Sequence, residues 1–397
     1  MAGKITGLGT VYNLPNYTGI LHQLTPGDTP FFSAIGGLSG GGQTSSDEFE
    51  WQDFDLRSAG QNVALEGADA PTPTNRVRAN RTNIVQIQHD SVGVSYSKLA
   101  ADQQKAGVNN NATNPVTNEL DWQVEQKLKE MVRDIEYSFI RGTYQKPTDN
   151  TTPRKTRGLL AAITSNVITL DAEAAQTGAA AESTDLITLT THGLTAGDQI
   201  VMTASAAAPL TVGTTYYVLE DGLTTGVFKV SAVKNGPAVD ITADGSVSWT
   251  KVTVTLTKDH VDSVCQLAYD NGGIQENATA TIMVNSGLKR AVTAAYSSEG
   301  YVTKELQGNV GGVTVDRINT DFGPLNVMLN RHMPASQLAI VSMEQCMPVY
   351  RETPGKGHFF AEALAKTGAN EKTQLYGEVG LMPGNEMAHG KIVNLKA

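Results

Sequence analysis

The sequence predicts an α+β chain that carries a separate small all-β module. Three observations carry this expectation. Leu120, Val124, Leu128, Met131, Ile135 and Phe139 recur at helical spacing behind a cap candidate, Asn118. Residues 47–95 read as a long two-legged hairpin, with Phe49 and Trp51 alternating against Glu48, Glu50 and Gln52. Residues 165–255 turn to Thr, Ala, Val and Gly in repeated short strand patterns.

The helix has Gly142 as a stop candidate, which gives ~23 residues and ~35 Å at 1.5 Å per residue. Glu125 and Lys129 form a favourable i,i+4 pair. Only one stripe is strongly apolar, so the helix is expected to lie along one face of a sheet. Ahead of it, residues 1–46 read as an extended arm with one apolar anchor, Thr29 to Ile35, and a flexible glycine stretch from Gly36 to Gly42. In the hairpin, Phe54 and Leu56 fall on the opposite parity from Phe49 and Trp51, which implies a bulge or bend near Asp53. Pro71 and Pro73 sit in the polar middle, where a ladder is hard to keep. Val77–Ile87 and Val92–Val94 form the return leg. Acids (Asp47, Glu48, Glu50, Asp53, Asp55, Glu66, Asp69) gather toward the first leg, and Arg76, Arg78 and Arg81 open the second.

In the module, strands are expected at Val167–Leu170, Leu186–Thr190, Gln199–Thr203, Tyr216–Leu219 and Val227–Val230. Three lysines stand there against nine acids, a net −6 of the chain's −10. After Lys258 the expected order is a helix near His260–Tyr269 ending at Gly272-Gly273, a strand at Thr281–Val284 and a helix near Leu288–Tyr296. Short strands at Val313–Val315, Leu325–Leu329 and Leu338–Val341 follow, then an antiparallel pair between Leu375 and Leu395.

The 397 residues, 40% hydrophobic and 18% charged, exceed one core and imply two or three compact units. No window is apolar enough to span a bilayer, and no secretory signal follows Met1. Two distant cysteines, Cys265 and Cys346, exclude a disulfide scaffold and suit a reducing compartment. The acidic balance argues against a dedicated DNA binder.

Chemistry-bearing strings are few. Gly37-Leu38-Ser39-Gly40-Gly41 matches a nucleophile elbow without the strand and helix it needs. Ser95-Tyr96-Ser97-Lys98, Tyr269-Asp270-Asn271 and Lys366-Thr367-Gly368 echo the penicillin-recognising enzymes only as short strings. The seven histidines (His22, His89, His192, His260, His332, His358, His389) show no ligand spacing. No catalytic residue, metal site or cofactor is expected. A polar hairpin and an arm that cannot bury themselves read instead as limbs supported by neighbouring subunits. The candidates for such contacts are Phe31, Phe32, Glu50, Trp51, Asp53, Glu66, Arg76, Arg78 and Arg81, with acidic and basic legs offering complementary faces.

Several stretches together resemble the major capsid proteins of tailed bacteriophages. They are Thr29-Pro30-Phe31-Phe32, Glu50-Trp51, Glu66-Gly67 before a proline-containing turn, Asn83–Ile87 leading to Val92–Ser95, Trp122–Gly142, Leu364–Gly368 and Glu378. The resemblance covers roughly residues 20–164 and 256–397. It implies the Hong Kong 97-type capsid fold, with an N-terminal arm (1–46), an extended E-loop (47–95), a peripheral domain with a spine helix (96–164, returning at 346–397) and an axial domain (256–345). Residues 165–255 would be an inserted β domain, expected to project outward.

Members of the family form hexamers and pentamers that close into an icosahedral head around double-stranded DNA. The implied location is the virion, after assembly in the host cytoplasm. The implied partners are other copies of the chain, a portal protein and a separate scaffolding protein, since the E-loop begins about 47 residues in. Residues 47–97 contain no lysine, so the covalent E-loop cross-link of some relatives cannot start here; non-covalent contacts or a cement protein are implied. Rival readings are an encapsulin-like nanocompartment shell, a phage tail protein and, on the serine strings, a hydrolase.

Overall fold

A computed structural model describes residues 27–54, 56–57, 59–101, 118–273, 280–298, 317–365 and 368–396. Residues 1–26 of the expected arm, Asp55, the strand expected at Val313–Val315 and the Lys366-Thr367 pair lie outside them. Along the chain the elements are α1 (Pro30–Ala34), β1 (Gly42–Thr44), β2 (Glu48–Asp53), β3 (Ala79–Ile84), β4 (Gln86–Ser95), α2 (Tyr96–Ala101), α3 (Glu119–Arg141) and α4 (Leu159–Ala162). Then come β5 (Val167–Thr169), β6 (Gln176–Ala181), β7 (Leu186–Thr188), β8 (Gln199–Ser205), β9 (Thr215–Val218), β10 (Val227–Phe228), β11 (Val230–Ser231) and β12 (Gly245–Lys251). The remainder is α5 (Lys258–Asp270), β13 (Ala280–Val284), α6 (Ser286–Ser298), β14 (Arg317–Thr320), β15 (Gly323–Leu329), β16 (Leu338–Val341), β17 (Met347–Arg351), β18 (Phe359–Ala363), β19 (Asn370–Met382) and β20 (Gly390–Val393).

The spine helix α3 begins where Asn118 Oδ1 accepts the Leu120 and Asp121 amides, the local signal read from the sequence. It stops at Gly142 for a reason the sequence does not carry. A Cβ there would lie 2.3 Å from the Ser138 carbonyl and 2.6 Å from the Thr156 carbonyl, so only glycine lets the returning strand approach. The helix lies on a five-stranded sheet whose axis is β19. Strand β4 runs along one edge of β19, from Asn370↔Ser95 to Val379↔Gln86. On the other edge β18 and β17 follow end to end, and β1 adds in parallel to β17.

A second sheet has the order β14-β15-β13-β16-β20-β5. Its alternating side chains serve two cores, as the pleat dictates. Ile282, Val284 and Ile340 pack under α5 and α6, whereas Met283, Ala339 and Val341 join α1, α3 and α4. A third sheet, of β6 to β12, holds a separate core around Trp249, Phe228, Ile187 and Ile200.

Four expectations are corrected. Gly36–Gly42 is not a slack stretch. The Gly40 amide donates to the Gly36 carbonyl at 2.9 Å, the Tyr350 hydroxyl donates to the Gly37 carbonyl, and Gly42 already belongs to β1. Val167–Thr169 does not belong with the module's strands; it pairs in parallel with Lys391–Val393 at the edge of the second sheet. The two tail strands do not pair with each other, because Pro383, Gly384 and the turn at Glu386–Ala388 carry the chain from the first sheet to the second. Strands β6 and β12 were absent from the expected set. β6 is Ala- and Gly-rich, whereas β12 alternates Val247 and Trp249 with Ser and Thr, a signal that was there to be read.

The joint between the layers is a buried carboxylate. Glu136, on the inner face of α3, is fully buried. It accepts the Phe31 and Phe32 amides at 3.0 and 2.6 Å, together with the Asn330 side-chain amide that follows β15. The Phe31 and Phe32 rings sit against Ile135 and Phe139, each worth about 1.5–3 kcal/mol of burial. Burial pushes the Glu136 carboxyl above its ordinary value, only partly offset by the donors around it. The folded chain therefore holds this proton more tightly than the unfolded chain, and the stabilisation it brings at acid pH is lost as pH rises through the folded pKa. Glu136→Gln, which turns an amide toward an N–H donor, should lower stability by about 1–3 kcal/mol in denaturant titration. The deficit should be largest near pH ~4 and narrow toward neutrality; a deficit that widens with pH would contradict this reading.

Candidate functional site

The surface that sets this molecule apart is a limb. The β2–β3 ribbon pairs from Glu48↔Ile84 to Asp53↔Ala79 and its ladder stops there. From Phe54 to Arg78 the described residues form no strand or helix, only a turn at Glu66-Gly67 where the Ala68 amide reaches the Leu65 carbonyl at 3.1 Å. Gly67 has φ 78°, which suits glycine. Apolar side chains on this limb stand in water: Phe54 is 66% exposed, Leu56 71%, Val63 81%, Leu65 85% and Val77 87%. That is far from the scattered exposed leucine of an ordinary surface.

The limb's root is held from three sides. Phe49 is buried with Val85 and Val349, in space left by Gly380, where a Cβ would meet the Phe49 ring at 2.7 Å. The Trp51 indole N–H donates to the Gly384 carbonyl at 3.0 Å. Four charges from remote segments close the third side. Arg154 and Arg351 each pair with both Asp47 and Glu378, and the Tyr376 hydroxyl donates to Glu378 at 2.6 Å. Burial and the neighbouring Glu378 push the Tyr376 hydroxyl up to about 12. Lys146 adds an ion pair to Glu48.

The nine contact candidates divide by their place in this geometry. Phe31 and Phe32 are corrected: both are buried in the chain's own core and offer a neighbour no surface. Asp53 pairs with Arg81 at 2.9 Å across the ribbon, Glu50 accepts from Asn80 at 3.2 Å, and Trp51 serves the root. Glu66, Arg76 and Arg78 project from the limb, fully available to another molecule. Arg154 and Arg351 were missed by sequence reasoning, and Glu378 entered it only through the resemblance and not as a contact, since most of these pairings join segments far apart in the chain.

A receiving surface lies elsewhere on the same chain. The amino-terminal half of the α3 stripe, Val124 and Leu128, is only half-buried, unlike Ile135 and Phe139. With Leu38, Met131, Phe359 and Leu375 it lines an open apolar groove of about 400 Å³.

The chemistry-bearing strings stay apart. Ser39 ends a 3₁₀ turn with no strand before it. Ser95 closes β4 and accepts the Lys98 amide at the start of α2. Burial pushes both cysteine thiols up to about 12, away from the reactive thiolate. His192 and Asp198 hold one tight turn. His192 Nδ1 accepts the Leu194 amide at 3.1 Å, and Asp198 accepts from Thr195 and pairs with Lys251 at 2.8 Å. Among the described residues no group of three His, Cys, Asp or Glu side chains could hold a metal, and no helix is long and apolar enough to cross a membrane.

Removing one arginine from the root should separate built contacts from decoration. Arg154→Ala strips a guanidinium from the mostly buried Glu378 and should cost about 1–3 kcal/mol in thermal or urea unfolding. Arg81→Ala, at a half-exposed pair, should cost about 1 kcal/mol or less. Equal costs would contradict the assignment of the root network.

A family model described as SU10 major capsid protein matches residues 4–396. The capsid asymmetric unit of Cyanophage A-1(L) superposes with a TM-score of 0.56 at 10% identity, covering 99% of this chain and 100% of that one. Mycobacterium phage Cain superposes at 0.49 with 11% identity, covering 98% of each chain. The holo-SrpI encapsulin complex from Synechococcus elongatus PCC 7942 superposes at 0.47 with 9% identity, covering 100% of this chain and 97% of that one. The first likeness concerns fold, and the two looser ones decide nothing further. No curated protein matches.

Proposed function

The chain belongs to the SU10 major capsid protein family, and from that premise we propose how copies of this tailed-phage major capsid protein build their shell. One observation carries the proposal: a limb of about 25 residues that its own chain leaves in water, apolar side chains included. The limb of one copy lies across the next, with Val63 and Leu65 seeking apolar surface such as the groove beside α3. Glu66, Arg76 and Arg78 supply the charged rim. Because donor limb and receiving groove are different surfaces, the contact is heterologous, the kind that closes into rings when the rotation between copies divides a full turn. Hexamers and pentamers of an icosahedral head are the rings the family uses.

The same reading supplies the rest of the particle. The shell encloses double-stranded DNA without sequence-specific binding, in keeping with a net charge of −10. Its copies act as structural elements and not as enzymes. A separate scaffolding protein and a portal protein take part in assembly in the host cytoplasm, and a cement protein or non-covalent contacts take the place of a cross-link that a lysine-free limb cannot make.

The test is a change that touches only the limb. Val63→Glu with Leu65→Glu should leave the melting temperature of the unassembled subunit within about 1–2 °C of wild type, because the wild-type side chains bury almost nothing there. In negative-stain electron microscopy of subunits co-expressed with the phage's scaffolding protein, the wild type should give closed shells and the double variant none. Shells of normal size and yield from the double variant would overturn the proposed contact.

A further inference from the structure

The third sheet closes on itself. Its order is β10-β7-β6-β12-β8-β9-β11, and its two end segments are one stretch of chain. Val227–Phe228 pairs antiparallel with β7, and after Lys229 the next residues, Val230–Ser231, pair antiparallel with β9. Two-residue pairings on either side of Lys229 thus join the two ends of the sheet, which curls into a small barrel-like unit. Its interior is filled by its own side chains. Trp249, Phe228, Ile187, Ile200, Met202 and Val247 are all buried, and Phe228 meets Trp249 edge-on at 5.1 Å. Gly178 leaves room for the indole, which a Cβ there would meet at 3.0 Å.

The two ends of this unit meet. Ala172 and Val252 form an antiparallel bridge, and the Glu173 amide donates to the Lys251 carbonyl at 3.1 Å. Chain thus enters and leaves at one point. All extensive element-to-element packing by the barrel strands is with other barrel strands. Its hydrogen-bonded side-chain attachments to the body are narrow: Gln199 Nε2 donates to the Leu395 carbonyl at 2.9 Å, and the Thr215 hydroxyl donates to the Ser336 hydroxyl at 3.0 Å.

We infer that residues 172–252 are a self-contained folding unit, set into the chain at a single point and dispensable to the fold of the rest. About 80 residues exceed the ~55–65 at which many domains fold alone. Its strands also pair with one another and take no partner strand from the body's sheets. The boundary matters: β5 pairs with β20 and belongs to the body, so an excision reaching back to residue 165 would remove a strand of another sheet.

The inference is tested on unassembled full-length subunits by amide hydrogen exchange, which does not depend on the shell reading. Trp249→Ala should cost residues 176–251 roughly 100-fold or more of their protection, while α3, β13 and β19 keep theirs within about threefold. A second variant, joining Asp171 to Thr253 through two glycines, should likewise leave α3, β13 and β19 protected. Loss of protection throughout the body in either variant would overturn the inference, as would a barrel left unprotected in the wild type.

Discussion

Between Phe54 and Arg78 the described residues make no ladder, and Phe54, Leu56, Val63, Leu65 and Val77 stand mostly in water. Such a segment loses conformational freedom when it is fixed and gains almost no burial in return. On the proposed function its position comes from a neighbouring copy, and that constraint organises the reading of the rest of the molecule. A soluble monomer under no such demand would shorten this loop or fold it back.

The body acts as the mount. The limb's root is fixed by Phe49 in its small core, by the Trp51 indole and by four charges drawn from Asp47, Arg154, Arg351 and Glu378. Deeper, Glu136 ties the segment around Phe31 to the spine helix and to the end of β15 in the second sheet. A buried carboxylate is a costly joint unless its acceptors are filled. Here three donors fill them, and Phe31, Phe32, Ile135 and Phe139 share the apolar core around it. The barrel is attached differently, by the chain ends at Ala172 and Val252 and by side-chain hydrogen bonds from Gln199 and Thr215, and it carries much of the chain's negative charge around a core of its own.

Much of this was legible from residues alone. The spine helix announced itself through its period and Asn118, because both signals are local. The limb was legible as a polar hairpin too thin to fold alone, and the change of parity between Trp51 and Phe54 marked where its ladder ends. The module's composition marked it, although Val167–Thr169 was assigned to it wrongly; a three-residue apolar strand carries no trace of which sheet it will join. Phe31 and Phe32 were read as contacts for a neighbour, because their partner Glu136 lies over a hundred residues away and sits among ordinary helix charges. The root network was invisible for the same reason: ion pairs between distant segments leave no spacing to detect.

The central claim is that the limb is ordered by a neighbouring copy. Amide hydrogen exchange of residues 59–78, compared between unassembled subunits and purified shells, tests it most directly. The account predicts exchange near the unprotected rate in the subunit and protection of roughly 100-fold or more in the shell. A limb already protected in the lone subunit, or one that exchanges as freely in the shell, would contradict it.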